Sequence, residues 1–285
     1  MKTALIQLTS GADIAANIAK IETLVKQAAG HGAELVALPE NVFYMRADSS
    51  AVALAKVEGQ AAAPKYTQEK HPGVKAAAQM AKRHSVWLLA GSVAVKDSGF
   101  GIQDSGKVFN RSILFNPEGG VAAQYDKIHL FDVDVGDGQT YKESARILPG
   151  GRAVVADLPW CKLGMTICYD LRFPQLCRAL AKAGAEILAV PSAFTQTTGE
   201  AHWHVLLRAR AIENGCFVIA PAQTGTHPGG RKTYGHSLIV DPWGKILADG
   251  GTEEGVVTAE LDLDLVKKIR AKLPSLEHDR EFSYT

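Results

Sequence analysis

Leu163-Gly164-Met165-Thr166-Ile167-Cys168-Tyr169-Asp170-Leu171-Arg172-Phe173-Pro174 is the stretch on which the fold turns. An apolar run of this length, closed by turn and breaker residues, reads as a buried strand, and Pro174 is placed to open a helix. The stretch therefore predicts a strand, a turn and a helix, with Cys168 on the turn. Sulfur at such a turn meets unbonded N–H groups and the positive end of a helix, which favour a thiolate and can hold an oxyanion. A free cysteine also packs well as a small buried hydrophobe, so the turn alone leaves both uses of Cys168 open.

Outward from that stretch, short apolar runs recur at residues 4–8, 34–38, 86–95, 111–115, 186–190, 216–220 and 236–240. Many are β-branched and bounded by Gly, Pro or Asn, which is the signature of strands. Helical periodicity lies between them. Ile14, Ile18, Ile21, Leu24, Val25 and Ala28 recur at helical spacing, with Gly30 and Gly32 as a stop, and residues 73–84, 174–183, 201–214 and 263–273 read likewise. Strands alternating with single helices predict a layered α/β fold. The 86–95 and 111–115 runs have no helix between them and predict an antiparallel ribbon. Residues 44–66 and 131–151 read as functional loops, and residues 274–285 as a charged, aromatic tail, either free or lying on a partner subunit.

The bulk numbers exclude several classes. The chain has 285 residues, of which 46% are hydrophobic and 21% charged, as in an ordinary globular protein. With 31 basic and 30 acidic residues, no global field recruits nucleic acid or an anionic membrane. No window approaches the length of a membrane span, and the first residues lack the pattern of a signal peptide. Cys161, Cys168, Cys177 and Cys216 match neither a CxxC pair nor a zinc-ligand spacing. So few cysteines in so long a chain argue against a disulfide framework, and the expected location is the cytoplasm.

Three further positions put a charge at the edge of an apolar segment: Glu40 after Leu35-Val36-Ala37-Leu38-Pro39, Lys127 within Tyr125-Asp126-Lys127-Ile128-His129-Leu130-Phe131, and Glu143 within the second long loop. Singly they are a solvated strand end, a snorkelling lysine and a loop charge. Together with the Cys168 stretch, however, Pro39-Glu40-Asn41, the segment from Asp126 to Asp132 and Ile167-Cys168-Tyr169-Asp170-Leu171-Arg172-Phe173-Pro174 resemble, in order, the three signature segments of the carbon-nitrogen hydrolase (nitrilase) superfamily. The resemblance spans nearly the whole chain. It implies a single domain over 1–285, built as a four-layer αββα sandwich and assembled as a homodimer or higher oligomer, with the tail at an interface. It also implies a catalytic Glu40-Lys127-Cys168 triad, with Glu143 as a second glutamate that orients Lys127 or substrate.

The residue types suit amide hydrolysis. Glu40 would take the thiol proton, and Lys127 with the backbone N–H of Tyr169 would stabilise the tetrahedral oxyanion. A thioester would follow, then hydrolysis, with no metal or organic cofactor required. Tyr169-Asp170-Leu171-Arg172-Phe173 resembles the amidase branch that holds the omega-amidases and the deaminated-glutathione amidases, and Pro191-Ser192-Ala193-Phe194 with Arg231-Lys232-Thr233-Tyr234-Gly235-His236-Ser237 resembles the latter more. Gln175 and Val135-Gly136-Asp137 depart from the branch pattern without touching the triad. Both candidate substrates are small 2-oxo-acid amides. Arg172 is the candidate clamp for their carboxylate, against an ion pair with Asp170, and Phe194 and Thr198 are candidate lining residues. A non-catalytic interaction module that keeps the fold is the remaining alternative, and the intact trio argues against it. Trp203 and His202 are expected in packing roles, Arg208 and Arg210 in ion pairs or at a subunit interface, Cys161, Cys177 and Cys216 in the core, and His236 as a satisfied buried histidine.

Overall fold

Strand-period alternation decides which way each strand faces. In a computed structural model of the chain, describing residues 1–45, 66–96, 106–136, 139–283 and 285, Ala4 and Ile6 point to one side of β1 (Lys2–Gln7) and Leu5 to the other. The chain continues through α1 (Ile14–Gly30), β2 (Leu35–Ala37), β3 (Tyr66–Thr67), α2 (Pro72–His84), β4 (Trp87–Lys96), β5 (Val108–Phe115), β6 (Val121–Asp126), β7 (Asp132–Asp134), β8 (Thr140–Lys142) and β9 (Ile147–Leu148). Its second half holds β10 (Val154–Asp157), β11 (Lys162–Met165), α3 (Pro174–Lys182), β12 (Ile187–Ala189), α4 (Gln196–Asn214), β13 (Phe217–Ala220), β14 (Thr224–Thr226), β15 (Lys232–Tyr234), β16 (Leu238–Val240), β17 (Ile246–Asp249), β18 (Gly255–Glu260) and α5 (Asp264–Lys272).

Two sheets carry the fold. The first runs β18-β1-β2-β4-β5-β6, and the second β10-β11-β12-β13-β16-β17. Ala4, Ile6, Val36, Leu88 and Ile113 of the first sheet pack on Ile21 and Val25 of α1 and on Ala77 and Met80 of α2. Leu5, Leu35, Ala37, Leu89 and Leu114, from its other face, join Leu163, Met165, Ile187, Ala189, Val218 and Ile239 of the second sheet in one core, which extends to Leu180 of α3 and to Trp203 and Leu207 of α4. Helix, sheet, sheet and helix thus form four layers, as the resemblance implied.

Local signals set the helix ends. Asp13 caps α1 by accepting from the N–H groups of Ala15 and Ala16, and Gly215, at φ 54°, ends α4 in the left-handed conformation. The expected ribbon is the antiparallel β4–β5 pair. Two expectations need correction. The described residues of the second long loop form the antiparallel β7–β8 pair, then a 3-10 turn over Glu143–Ala145 and β9, with residues 137–138 outside the described residues. α4 begins at Gln196, earlier than the apolar spacing from Ala201 indicated, because its first turn packs through small and hydroxyl residues. β11 stops at Met165 and a 3-10 turn over Cys168–Arg172 precedes α3, so Cys168 lies on the expected turn. Of the 44–66 loop, residues 46–65 lie outside the described residues. Arg178 and Lys182 of α3 pair with Asp279, laying the first part of the tail on its own subunit. Among the described residues no helix is long and apolar enough to cross a membrane.

One close approach positions the future site. A Cβ at Gly91 of β4 would stand 2.0 Å from the Leu38 carbonyl oxygen and 2.2 Å from that of Pro39. The β4–β5 register shifts between Ala90 and Val93, and the Ser92 hydroxyl within that irregularity accepts the Asn41 N–H at 3.0 Å. Only glycine lets β4 press against the turn that carries Glu40.

Candidate active site

Each acidic, basic or sulfur group of the expected site emerges just past the end of a strand: Glu40 after β2, Lys127 after β6, Glu143 after β8 and Cys168 after β11. Short strands fix where the chain leaves the sheet, so four groups far apart in sequence converge. Lys127 Nζ lies 2.9 Å from Glu40 Oε1 and 3.1 and 2.9 Å from the two oxygens of Glu143. The Cys168 thiol lies beside both, within reach of the Glu40 and Lys127 charges. Glu40, Lys127 and Cys168 are 3%, 2% and 7% exposed.

Two groups absent from the sequence reading hold the carboxylates in place. Asn110 Nδ2 donates to Glu40 Oε1 at 3.0 Å and to Glu143 Oε1 at 3.3 Å, bridging the two glutamates. The Ala193 N–H donates to Glu40 Oε2 at 2.9 Å and also faces the thiol. The signal for Asn110 was an amide in the middle of the apolar run 108–115; Ala193 acts through its backbone and leaves no signature in side-chain type. Glu143 is anchored in turn by the Phe131 N–H at 2.7 Å.

Burial and charge set the protonation state. Burial alone would raise the Glu40 carboxyl, but the Lys127 ammonium outweighs it and holds the value below the ordinary carboxylate range. Burial likewise works against the Lys127 ammonium, and the Glu143 and Glu40 carboxylates overcome it, so the lysine stays charged. For Cys168, burial raises the thiol and the Glu40 charge raises it further, against a smaller opposing effect of Lys127. The resting cluster is therefore a neutral thiol beside an ionised carboxylate and an ammonium. Burial and the neighbouring carboxylate thus outweigh the thiolate-favouring effect of the turn.

The turn that carries Cys168 has its own support. Cys168 adopts φ 48°, a left-handed backbone that costs a side-chain-bearing residue about 1 to 3 kcal/mol. Its N–H donates to Pro191 O at 3.0 Å. Asp170, fully buried, accepts from the Ile167 N–H at 2.9 Å, the His129 N–H at 3.0 Å and the Tyr125 hydroxyl at 2.7 Å, and pairs with His129 Nδ1 at 2.7 Å. The alternative use of Asp170, as partner for Arg172, is therefore closed.

Arg172 is free of carboxylates among the described residues. Its guanidinium lies 5.3 Å from the centre of the Phe194 ring and beside His202 Nδ1, at 3.3 and 3.4 Å. Phe194 packs on Trp203, whose indole N–H donates to the His236 carbonyl at 2.8 Å. The Thr198 hydroxyl bonds the Thr195 hydroxyl at 2.7 Å, so it braces the start of α4. Tyr169 sets its ring edge-on to Phe131 and Phe173. Arg210 donates to Leu171 O and pairs with Glu213, Arg208 donates to Gly244 O, and Cys161, Cys177 and Cys216 are buried. His236 is half-buried and paired with Asp249, which corrects the expectation of a buried histidine.

This geometry can be set beside known proteins. The family model for carbon-nitrogen hydrolase matches residues 2–271. The chain belongs to the carbon-nitrogen hydrolase family. This carbon-nitrogen hydrolase is 44% identical over 277 residues to a deaminated glutathione amidase of Synechocystis sp. (strain PCC 6803 / GT-S), covering 96% of each chain. It is 36% identical over 288 residues to the omega-amidase NIT2 of Mus musculus, covering all of this chain and 96% of that one. Among solved structures it superposes on the C. elegans NitFhit protein with a TM-score of 0.83 at 33% identity, covering 98% of this chain and spanning 65% of the other. The carbon-nitrogen hydrolase is accordingly an amide-hydrolysing enzyme.

Proposed function

We propose that the enzyme is a cysteine-dependent amidase that cleaves a 2-oxo-acid amide through a thioester, with deaminated glutathione as substrate and 2-oxoglutarate and Cys-Gly as products. The observation that carries the reading is the buried convergence of a neutral thiol, an ionised Glu40 and a charged Lys127. Glu40 accepts the thiol proton as sulfur attacks the amide carbon. The carbonyl electrons move to oxygen, where the Lys127 charge and the Tyr169 N–H stabilise them; one such donor is worth about 3 to 4 kcal/mol of barrier. As the C–N bond breaks, Glu40 returns its proton to the departing amine. Glu40 then draws a proton from water, which attacks the thioester, and the C–S bond breaks to regenerate the thiol. Glu143 and Asn110 hold Lys127 and Glu40 throughout, and no step calls on a cofactor.

The identity to a deaminated glutathione amidase supports this substrate, and the unpaired Arg172 over Phe194 supports a free carboxylate on the acyl side. The omega-amidase relative favours a second reading, hydrolysis of 2-oxoglutaramate or 2-oxosuccinamate with loss of ammonia. Steady-state kinetics on both classes decide: a higher kcat/KM for 2-oxoglutaramate than for deaminated glutathione reverses the order. A cytoplasmic homodimer or higher oligomer completes the reading, supported by Val205, Ile212 and Trp243, exposed at 68%, 49% and 58%. The elution volume of the purified enzyme, with and without Val205→Lys, tests the assembly.

A further inference from the structure

A second guanidinium stands at the same site, engaged by no acid among the described residues. Arg231 follows the turn Pro228-Gly229-Gly230 and donates from Nη2 to the Ala193 carbonyl at 2.6 Å, while its Nε–H is buried with no partner. Its guanidinium lies 5.5 Å from the centre of the Tyr141 ring, and its charge helps to depress the Glu40 carboxyl. Among the described residues no carboxylate pairs with it. The turn is rigid: His227, kept neutral by burial at about 4, bonds Ser10 O at 3.0 Å and the Thr233 hydroxyl at 2.7 Å, and its N–H and C=O close the turn on Arg231 O and Gly230 N. A planar cation with one backbone acceptor, an aromatic face beneath it and unmet donors is arranged for a ligand carboxylate.

Distance says which carboxylate. The Ala193 N–H holds Glu40 Oε2 and its carbonyl holds Arg231, so the guanidinium is within about 9 Å of the catalytic carboxylate. In a dipeptide leaving group the terminal carboxylate lies two residues beyond the scissile amide, about 7 Å when extended. Arg172, beside Phe194, answers the carboxylate of the 2-oxo acid; a substrate with a second terminal carboxylate needs a second cation. We propose that Arg231 is a specificity-determining residue that binds the C-terminal carboxylate of the dipeptide leaving group. This rests on the deaminated glutathione reading given above and names the residue that separates that substrate from amides that release ammonia.

The test crosses two enzymes with three substrates: wild type and Arg231→Gln on deaminated glutathione, on its glycine-carboxamide analogue and on 2-oxoglutaramate. In the wild type, amidating the glycine is expected to raise KM about tenfold with a smaller change in kcat. In Arg231→Gln, kcat/KM for deaminated glutathione is expected to fall about tenfold more than for 2-oxoglutaramate, and the penalty for amidation is expected to vanish. Arg231→Lys should recover part of the loss. An equal fall on every substrate assigns Arg231 to bracing Ala193 and overturns the proposal. So does a wild type indifferent to amidation, a result read from the native enzyme even if the variant misfolds. A wild type that turns over 2-oxoglutaramate and leaves deaminated glutathione intact instead overturns the substrate reading, and this inference falls with it.

Discussion

Glu40 and Asp170 are both buried carboxylates beside the turn that carries Cys168, and they differ in what they hold. Asp170 spends its oxygens on two backbone N–H groups, a tyrosine hydroxyl and a histidine ring, all fixed in the fold. Glu40 shares its oxygens among an amide side chain, one backbone N–H and an ammonium, and lies beside a thiol that can give up its proton. Burial and negative charge are common to the two. The exchangeable partner is what separates a group suited to proton transfer from one that shapes a turn, and the contrast can be broken by substitution.

The largest effect is expected from Cys168 itself. Cys168→Ala should lower kcat by about 10^4-fold or more with Tm nearly unchanged, because one sulfur leaves the turn while Pro191 O and Asp170 still hold its backbone. Cys168→Ser should be severely impaired too, since a hydroxyl is far harder to ionise than a thiol; comparable turnover in either variant removes Cys168 from the chemistry. Glu40→Gln should cost about 10^2 to 10^4-fold in kcat with little loss of Tm, because Lys127 keeps Glu143 as a partner. Asp170→Asn should behave oppositely. The amide turns donors toward donors, so denaturant unfolding should show a loss of about 3 kcal/mol, with the folded fraction keeping most of its activity. If the two carboxylate variants gave the same pattern, the distinction drawn between them would be wrong.

The pH profile sharpens the same contrast. Glu40 is active as the carboxylate and its folded value is depressed, so kcat/KM should stay flat through neutral pH and fall only below the ordinary carboxylate range. The linked stability has the same sign. It is fully present above the unfolded-state value of about 4.3 and is lost as pH falls through the depressed folded value. An acid limb near pH 6 or above contradicts this assignment. The smallest expected change is in Arg172→Lys, which should raise KM for the 2-oxo acid several-fold more than it lowers kcat; an unchanged KM makes its stacking on Phe194 structural.

Much of this was legible in the sequence because the chemistry sits where strands end. Glu40, Lys127 and Cys168 each interrupt an apolar run, and such an interruption is visible in one dimension. The spacing of strands and helices made a layered α/β fold legible, and the four-layer sandwich was implied by the family resemblance of the ordered signature segments. What escaped were partners defined by space alone. Asn110 reads as one polar residue in a strand until β5 sets it between two glutamates, and the Ala193 amide has no side-chain signature. The strength of the burial and charge effects on Cys168 was not legible, because position on a turn says nothing of what packs against it. β6 and β17 went unnoticed because half of their residues face solvent and break the apolar pattern.

Gly91 carries a consequence for anyone who would redesign this enzyme. It bears no functional group, yet a single methyl there would collide with the carbonyls of Leu38 and Pro39 and push Glu40 off its mark. A library confined to the residues around the thiol would never sample it, and a stabilising campaign that swaps glycines in strands for alanine would choose it first. The vacancy at its α-carbon is a part of the machinery, and it belongs on the list of positions to leave alone.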